Sequence, residues 1–518
     1  MQTMEVKDQL DYGMSGATSD NETKISTAIG SLKISSSYKD VEGNNGSNPS
    51  VDESQSGKLK DGGKKDKKHK KRQNKNLTPE EINELKAIRR LKKESQQKIN
   101  SEESNFITRD FLSLPMKQNT NGFIFTMMTY NCLAQALIRR RLFPTSGNAL
   151  KWRIRSETLL KEFKHYNSDV MCLQEIDHVQ YKQFWNIEFQ KLGYSSQMHR
   201  FHSSAHGVVI AWRKSMFELA DYMLIDYDKE KSGVIKPMKA TNNVGLAVAL
   251  KFSKEVLRSH PHTTKSGILV GTSHLFWHPF GTYERTRQTY VLLRKMKEFM
   301  HRVNVFGNNT SAKNTSWYSF ICGDFNSQPF DSPYLSMVSK PVAYHGRART
   351  VITCSAGYNF SQSIDEGSDE ENKEEEKQPA TPTPEYYNGT EREFSLVSEM
   401  EKLHNSIDLR AISLYSVGYR YVDAENAGLD NDRGEPEISN WAHTWKGLLD
   451  YIMCLTDWDF SDHTKLDTLD QLEQTTNVKI LGLLKMPAAK DMPEHGLPHL
   501  GEYPSDHLCM MTRLELDM

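Results

Sequence analysis

Hydrophobic and polar positions change their spacing along the chain at about Phe123. From there on, short β-branched, aromatic or alternating apolar runs recur at 123–130, 169–173, 207–212, 244–252, 267–273, 318–322, 448–455, 478–484 and 507–516. Each has the length and composition of a strand. Helix-period stretches at 152–166, 181–192 and 283–302 lie between several of them, so the pattern predicts an α/β domain with nine or more strands rather than an all-β sandwich. The predicted core of about 390 residues starts near Phe106 and runs to the C-terminus, large for a single domain.

The chain ahead of this core reads differently. Residues 1–77 are rich in Ser, Gly, Asn, Asp and Lys and bury too little apolar area to offset ordering entropy, so this polar and basic region is expected to be disordered. Its run from Lys64 to Arg72 reads as an import signal, an RNA tether or a solvated, solubilising stretch. A charged helix is expected over 78–100, with Thr78 as N-cap, Pro79 at the first helical position and Glu81 closing a capping box. Within the core, 361–390 carries a dense acidic run from Asp365 to Glu376 followed by a Thr-Pro repeat, expected to be a disordered surface insertion.

Only 37% of the 518 residues are hydrophobic. The mean hydropathy is −0.66. Both agree with a core smaller than the chain. The net charge of −1 makes no whole-molecule case for a polyanionic partner, so any basic surface must be local. Six dispersed cysteines without a Cys-x-x-Cys pair point to reduced core thiols in a cytoplasmic or nuclear compartment. No run of 18 apolar residues is present and the first residues are polar, which disfavours membrane spanning and secretion.

The candidate chemistry sits where the predicted strands run out. In Gly323-Asp324-Phe325-Asn326, a carboxylate able to orient or deprotonate water stands two residues from an amide able to donate to a phosphate oxygen. The alternative is a strand-ending turn whose Asp and Asn bond their own backbone. Glu175 ends the run 170–173; Mg²⁺ needs only one or two protein carboxylates, so a single Glu there suffices. His507, next to Asp506 and ahead of an apolar strand, is a candidate phosphate contact. Asp450, within an apolar stretch, must be paired with something, and His507 is the natural partner. His274 is a second imidazole at a strand end.

Thr129-Tyr130-Asn131, Leu173-Gln174-Glu175, Ser273-His274, Gly323-Asp324-Phe325-Asn326, Leu449-Asp450-Tyr451 and Ser505-Asp506-His507, in this order, resemble the endonuclease/exonuclease/phosphatase superfamily from about Thr126 to the C-terminus. The extended segments Cys322 to Pro329 and Tyr130 to Ala134 resemble its deadenylase, nocturnin and Angel group, and within that the fungal Ngl-type RNA exonucleases. The resemblance implies a four-layer α/β sandwich, DNase I-like, with two central, mainly antiparallel sheets flanked by helices. It implies that Glu175 binds Mg²⁺, for which Mn²⁺ substitutes, with Asp506 as a second carboxylate near the metal. Asn131, Asp324 and Asn326 would position water and phosphate, His274 and His507 would bind or polarise the phosphate, and Asp450 would support this cluster. Related deadenylases hold the terminal adenine between a proline and an aromatic ring; the matching positions are Pro279 and Trp445, where the group usually has Phe. A larger platform relaxes adenine preference, since stacking tolerates any base.

The expected activity is a Mg²⁺-dependent 3′-to-5′ exoribonuclease that releases 5′-mononucleotides from single-stranded RNA 3′ ends, either poly(A) tails or stable RNA such as rRNA precursors. The rivals are a nucleotide or small-molecule phosphatase on the same metal site and a non-catalytic RNA-binding protein. A monomer is expected; without a leucine-rich array ahead of the core, docking into a multisubunit deadenylase is not.

Overall fold

In the computed structural model the described residues are 106–117, 121–306, 316–360, 387–493 and 496–518. The readings of 1–77, of the basic run, of the 78–100 helix and of the acidic insertion through residue 386 lie outside them.

Two mixed sheets face each other. The first has the order β1 (Phe111–Ser113), β14 (Val478–Leu484), β15 (Met510–Leu516), β2 (Phe123–Asn131), β3 (Val170–Asp177), β5 (His206–Arg213) and β4 (Tyr194–His199). The second has the order β10 (Leu409–Ser413), β13 (Asp450–Asp457), β9 (Ser316–Asp324), β8 (Lys265–His274), β7 (Val244–Phe252) and β6 (Phe217–Asp226). A short ribbon, β11 (Asn440–Ala442) with β12 (Trp445–Gly447), stands apart from both.

The apolar runs are nearly continuous because most central strands are covered on both faces. Phe125, Met127, Cys172 and Ile210 from the first sheet meet Val248, Val270, Phe320, Cys322 and Ile452 from the second in one buried cluster. One residue out of phase, Met128, Tyr130, Met171 and Leu173 face outward and pack on Leu159 and Phe163 of the helix Trp152–Tyr166 and on Trp185 and Phe189. Each large apolar side chain buried this way contributes about 1.5–3 kcal/mol. All six cysteines are free, five of them buried, as expected for reduced core thiols.

Among the described residues every strand pair is antiparallel except β2/β3 and β8/β9. Those two pairs are the ones bridged by crossover helices, Trp152–Tyr166 and Thr282–Phe306, because parallel neighbours require a long return. The first of these helices ends where Asn167 adopts a left-handed conformation, φ 48°. The carboxyl ends of parallel strands are where ligand-binding loops gather in α/β sheets. Here those ends carry Asn131 and Glu175 in one sheet, His274 and Asp324 in the other. Antiparallel neighbours bring their starts to the same edge: Asp450 opens β13 directly opposite Asp324, and His507 lies three residues ahead of β15, the neighbour of β2.

Candidate active site

Asn131, the last residue of β2, is fully buried, and its side-chain amide joins the two sheets. Its Nδ2 donates to Glu175 Oε1 at 2.8 Å and to Asp324 Oδ2 at 2.9 Å, while its Oδ1 accepts from the Leu133 backbone N–H at 3.0 Å. Both amide protons and the carbonyl are therefore used, which fixes how far apart the two carboxylates stand.

Glu175 reaches this point through a break in strand alternation. Gln174 points inward, its Nε2 donating to Thr129 and Thr272 on opposite sheets, so a regular strand would turn Glu175 outward. Instead the pairing of β3 with β5 shifts register between Leu173 and Ile176, and Glu175 sits at φ 54°. A bulge of this kind re-aims a side chain, and a left-handed non-glycine residue costs about 1–3 kcal/mol. Burial pushes the Glu175 carboxyl up, but His274, His206 and hydrogen bonds from Asn131 and Ala134 outweigh that and hold it below its ordinary value.

Asp324 is at the centre. His274 Nε2 lies 3.5 Å and His507 Nε2 3.6 Å from its Oδ2, and His274 Nε2 is also 3.9 Å from Glu175 Oε1. Its Oδ1 accepts from the Asn326 backbone N–H at 2.9 Å. Asn326, at φ 47°, gives one amide proton to the Leu275 carbonyl at 2.9 Å, so only the other is available to a ligand. Asp324 thus closes a turn with the Asn326 backbone, whereas the Asn326 side chain bonds the distant Leu275 and not its own backbone.

Behind His507, Asp450 Oδ2 meets Nδ1 at 2.7 Å and accepts from Ser439 Oγ at 2.7 Å. Asp450 Oδ1 is buried without a hydrogen-bond partner. Asp324, Asp450 and His507 present ligand atoms within 4.8 Å of one another, a buried group able to hold a metal ion. His507 is pushed well above its ordinary value; burial opposes this, but Asp450 and Asp324 outweigh it. Asp506, pushed up to about 6 chiefly by burial, feels His507, Glu175 and Arg155. Glu175 and Asp324 are held by one amide, Asp324 and Asp450 lie in one group with His507, and Asp506 feels the charge of Glu175; carboxylate oxygens are the hard donors a divalent cation takes.

The sequence-predicted residues Asn131, Glu175, His274, Asp324, Asn326, Asp450, Asp506 and His507 are therefore brought to one place. Pro279 and Trp445 are exposed on flanking segments, the loop after β8 and strand β12.

Three contributors escaped the sequence reading. Arg155, on the helix Trp152–Tyr166, is fully buried and donates through Nε to the Pro504 carbonyl at 2.6 Å and through Nη2 to the carbonyls of Cys132 and Leu133, tying the segment after Asn131 to the one before His507. Arg285 does the same for the loop bearing Pro279, donating to the Phe276 and His278 carbonyls at 3.0 and 2.6 Å and to Ser327 Oγ at 3.2 Å. His206, opposite Asp177 at the start of β5, adds a third imidazole beside Glu175.

Residues 128–507 match the Endonuclease/Exonuclease/phosphatase family. The chain is 55% identical over 461 residues to "RNA exonuclease NGL2" of Saccharomyces cerevisiae, covering 85% of this chain and 90% of that protein. It is 32% identical to "Probable RNA exonuclease C9B6.11c" of Schizosaccharomyces pombe, covering 80% and 81%. Among solved structures it resembles "ANGEL2, a 2′,3′-cyclic phosphatase" in fold, with a TM-score of 0.52 at 20% identity over 80% of this chain and all of that one. Two facing sheets, helices outside them and polar groups gathered at the strand ends agree with these matches, and the chain is an enzyme of the Endonuclease/Exonuclease/phosphatase family.

Proposed function

We propose that this enzyme is a Mg²⁺-dependent 3′-to-5′ exoribonuclease that releases 5′-mononucleotides from single-stranded RNA. The observation that carries the reading is the placement of Asp324 Oδ2 within reach of Asn131 and of both His274 and His507, with a second carboxylate, Glu175, held by the same amide. That arrangement supplies a water-activating group, donors for a phosphoryl group and a cation site together. Two relatives named as RNA exonucleases support RNA as the substrate, as does the related "CCR4-Not complex 3′-5′-exoribonuclease subunit Ccr4" of Yarrowia lipolytica, 28% identical over 248 residues.

Glu175 would hold the metal with Asp506 as a further carboxylate, and Mn²⁺ would substitute for Mg²⁺. When bound, the ion supplies charge neutralisation at the phosphate and lowers the pKa of water near it. Asp324 orients a water molecule and takes its proton as the water oxygen bonds to phosphorus. The bond to the 3′-oxygen of the preceding nucleotide breaks, and that oxygen takes a proton from solvent and leaves as a hydroxyl. His274 and His507 donate to the non-bridging oxygens, and Asp450 keeps His507 oriented. Pro279 and Trp445 flank the terminal base. Poly(A) tails and 3′-extended stable RNA are both substrates of this chemistry, which requires no partner subunit and fits a monomer in the cytoplasm or nucleus. Among the described residues no helix is long and apolar enough to cross a membrane.

The test is the product pattern from 5′-labelled and 3′-labelled oligoribonucleotides with Mg²⁺, Mn²⁺ or EDTA. Stepwise shortening of the 5′-labelled strand with release of labelled 5′-mononucleotide from the 3′-labelled one is expected. Internal fragments, or activity only on free nucleotides, would overturn the reading.

A further inference from the structure

A groove of about 390 Å³ lies beside the catalytic strand ends, lined by Pro144, Thr145, Trp441, His443, Thr444 and Lys446. Its volume falls in the range of ligand pockets, roughly 300–1,000 Å³. None of the groups assigned to phosphate, metal or terminal base lines it. Yet it is joined to them through the backbone: the Trp441 N–H donates to the Asp506 carbonyl at 2.8 Å, and Asn440, one residue earlier, pairs with His507.

Resting on the exoribonuclease reading, we propose that this groove is a second nucleotide subsite, in which Trp441 stacks a base upstream of the terminal one and Lys446 meets the adjoining phosphate. Trp441 and Lys446 are directly opposed across the β11/β12 ribbon, and the ammonium sits 5.1 Å from the indole centroid. Trp445 pairs instead with Ala442, one step along, so strand alternation puts the two tryptophans on different faces. The ribbon thus has two aromatic platforms, one for each of two bases. Trp441 is only partly buried, and its Nε1–H is satisfied by the His443 carbonyl at 3.0 Å, so the ring is held in place by a bond at its edge. A rigid aromatic next to a cation is the combination that single-strand binders use for base and backbone. The opposite wall is formed by Pro144 and Thr145, at the end of the turn in which Leu142 and Phe143 bond back to the Arg139 and Arg140 carbonyls. The overall charge of −1 gives no general attraction for RNA, so backbone contacts depend on local cations such as Lys446, whose ammonium also lies 4.0 Å from Glu437 Oε1.

The test compares full-length wild type with Trp441→Ala and Trp441→Phe, using fluorescence anisotropy in EDTA and steady-state hydrolysis in Mg²⁺ of 5′-labelled octaadenylate and of the same octamer made abasic at every nucleotide but the 3′-terminal one. Trp441→Ala should bind octaadenylate roughly tenfold more weakly, the change that about 1.4 kcal/mol of stacking represents. Its KM for octaadenylate should rise with kcat little changed, the abasic octamer should be bound alike by wild type and variant, and Trp441→Phe should restore most of the loss. Equal octaadenylate affinity in wild type and Trp441→Ala overturns the subsite, as does an equal loss for the abasic octamer. Wild-type protein that neither binds nor shortens the octamer defeats the exoribonuclease reading and the subsite together, a result separable from the variant's failure alone.

Discussion

His507 Nδ1 lies 2.7 Å from Asp450 Oδ2, with Asp450 wholly buried and His507 5% exposed. The carboxylates of Asp450 and Asp324 outweigh burial and push the imidazole above its ordinary value, and Nε2 lies 3.6 Å from Asp324. Ser439 Oγ, which donates to the same Asp450 oxygen and accepts from the Leu449 and Asp450 N–H groups, locks the carboxylate in turn. Asp450→Asn keeps the shape but removes the charge, so kcat should fall about 10–100-fold with melting temperature nearly unchanged, as seen when partners behind a functional histidine are lost. Single-turnover rates and thermal melts on the same preparation would check both halves.

Arg155 acts at a distance from any phosphate. Arg155→Met leaves the carbonyls of Pro504, Cys132 and Leu133 without their donor, at about 1–3 kcal/mol for each group stranded in the interior. Urea unfolding should show a loss of several kcal/mol at most, and catalysis should fall too, because the segments carrying Asn131 and His507 are no longer joined.

Gly323 is required by close approach. It pairs with Ser273 across β8/β9, and a Cβ there would lie 2.2 Å from the Ser273 carbonyl oxygen, at φ 152°. Gly323→Ala should therefore part the strands that carry His274 and Asp324, destabilising the protein by about 3 kcal/mol. A chemical denaturation curve and the hydrolysis rate should worsen together.

His404 sets a stability limit in acid. It is fully buried with Nε2 2.9 Å from the Thr286 carbonyl, and burial, reinforced by Lys340, lowers it from 6.5 to about 3. A lowered folded-state value means that its contribution is complete above pH 6.5 and is lost as pH falls toward 3. By pH 4.5 this amounts to about 3 kcal/mol. His404→Phe loses about 1 kcal/mol of hydrogen bonding at pH 8. The stability gap between wild type and variant, measured by urea unfolding, should therefore narrow or reverse at pH 4.5.

Trp445, 37% exposed on β12, offers its indole to a terminal base. Trp445→Ala should raise KM about tenfold for oligoadenylate and oligouridylate alike, stacking being sequence-tolerant. Competition between the two substrates measures how little base preference rests on this ring.

Much of the site was legible because its residues break local rules. A histidine ahead of a buried strand and an aspartate inside an apolar run each demand a partner, and they are each other's. The helix Trp152–Tyr166 and the strand Val478–Leu484 have the bounds their periodicities predict, since both lie against a core on a clean face. Other boundaries moved: the last strand begins at Met510 rather than His507, and 181–192 begins with a π-helical turn, Tyr181–Trp185. β6 was missed because it is an edge strand with exposed Glu218 and Leu219 and a register shift, which blur the alternation. Polar β4 and the brief β11 and β12 gave no apolar run to read. Arg155 and Arg285 left no signal in the sequence, because their partners are backbone carbonyls from other segments, which no side-chain pattern marks. The left-handed turn at Glu175 was equally invisible, since an acidic residue does not advertise a positive φ.

The most direct test of the centre is the single-turnover rate at which Glu175→Gln, purified and shown by circular dichroism to be folded, shortens an oligoadenylate in saturating Mg²⁺. A carboxylate shared by cation and amide should be indispensable, so a rate about 10³-fold below wild type is expected. A rate within about twofold of wild type would contradict a catalytic centre built on Glu175 and Asp324.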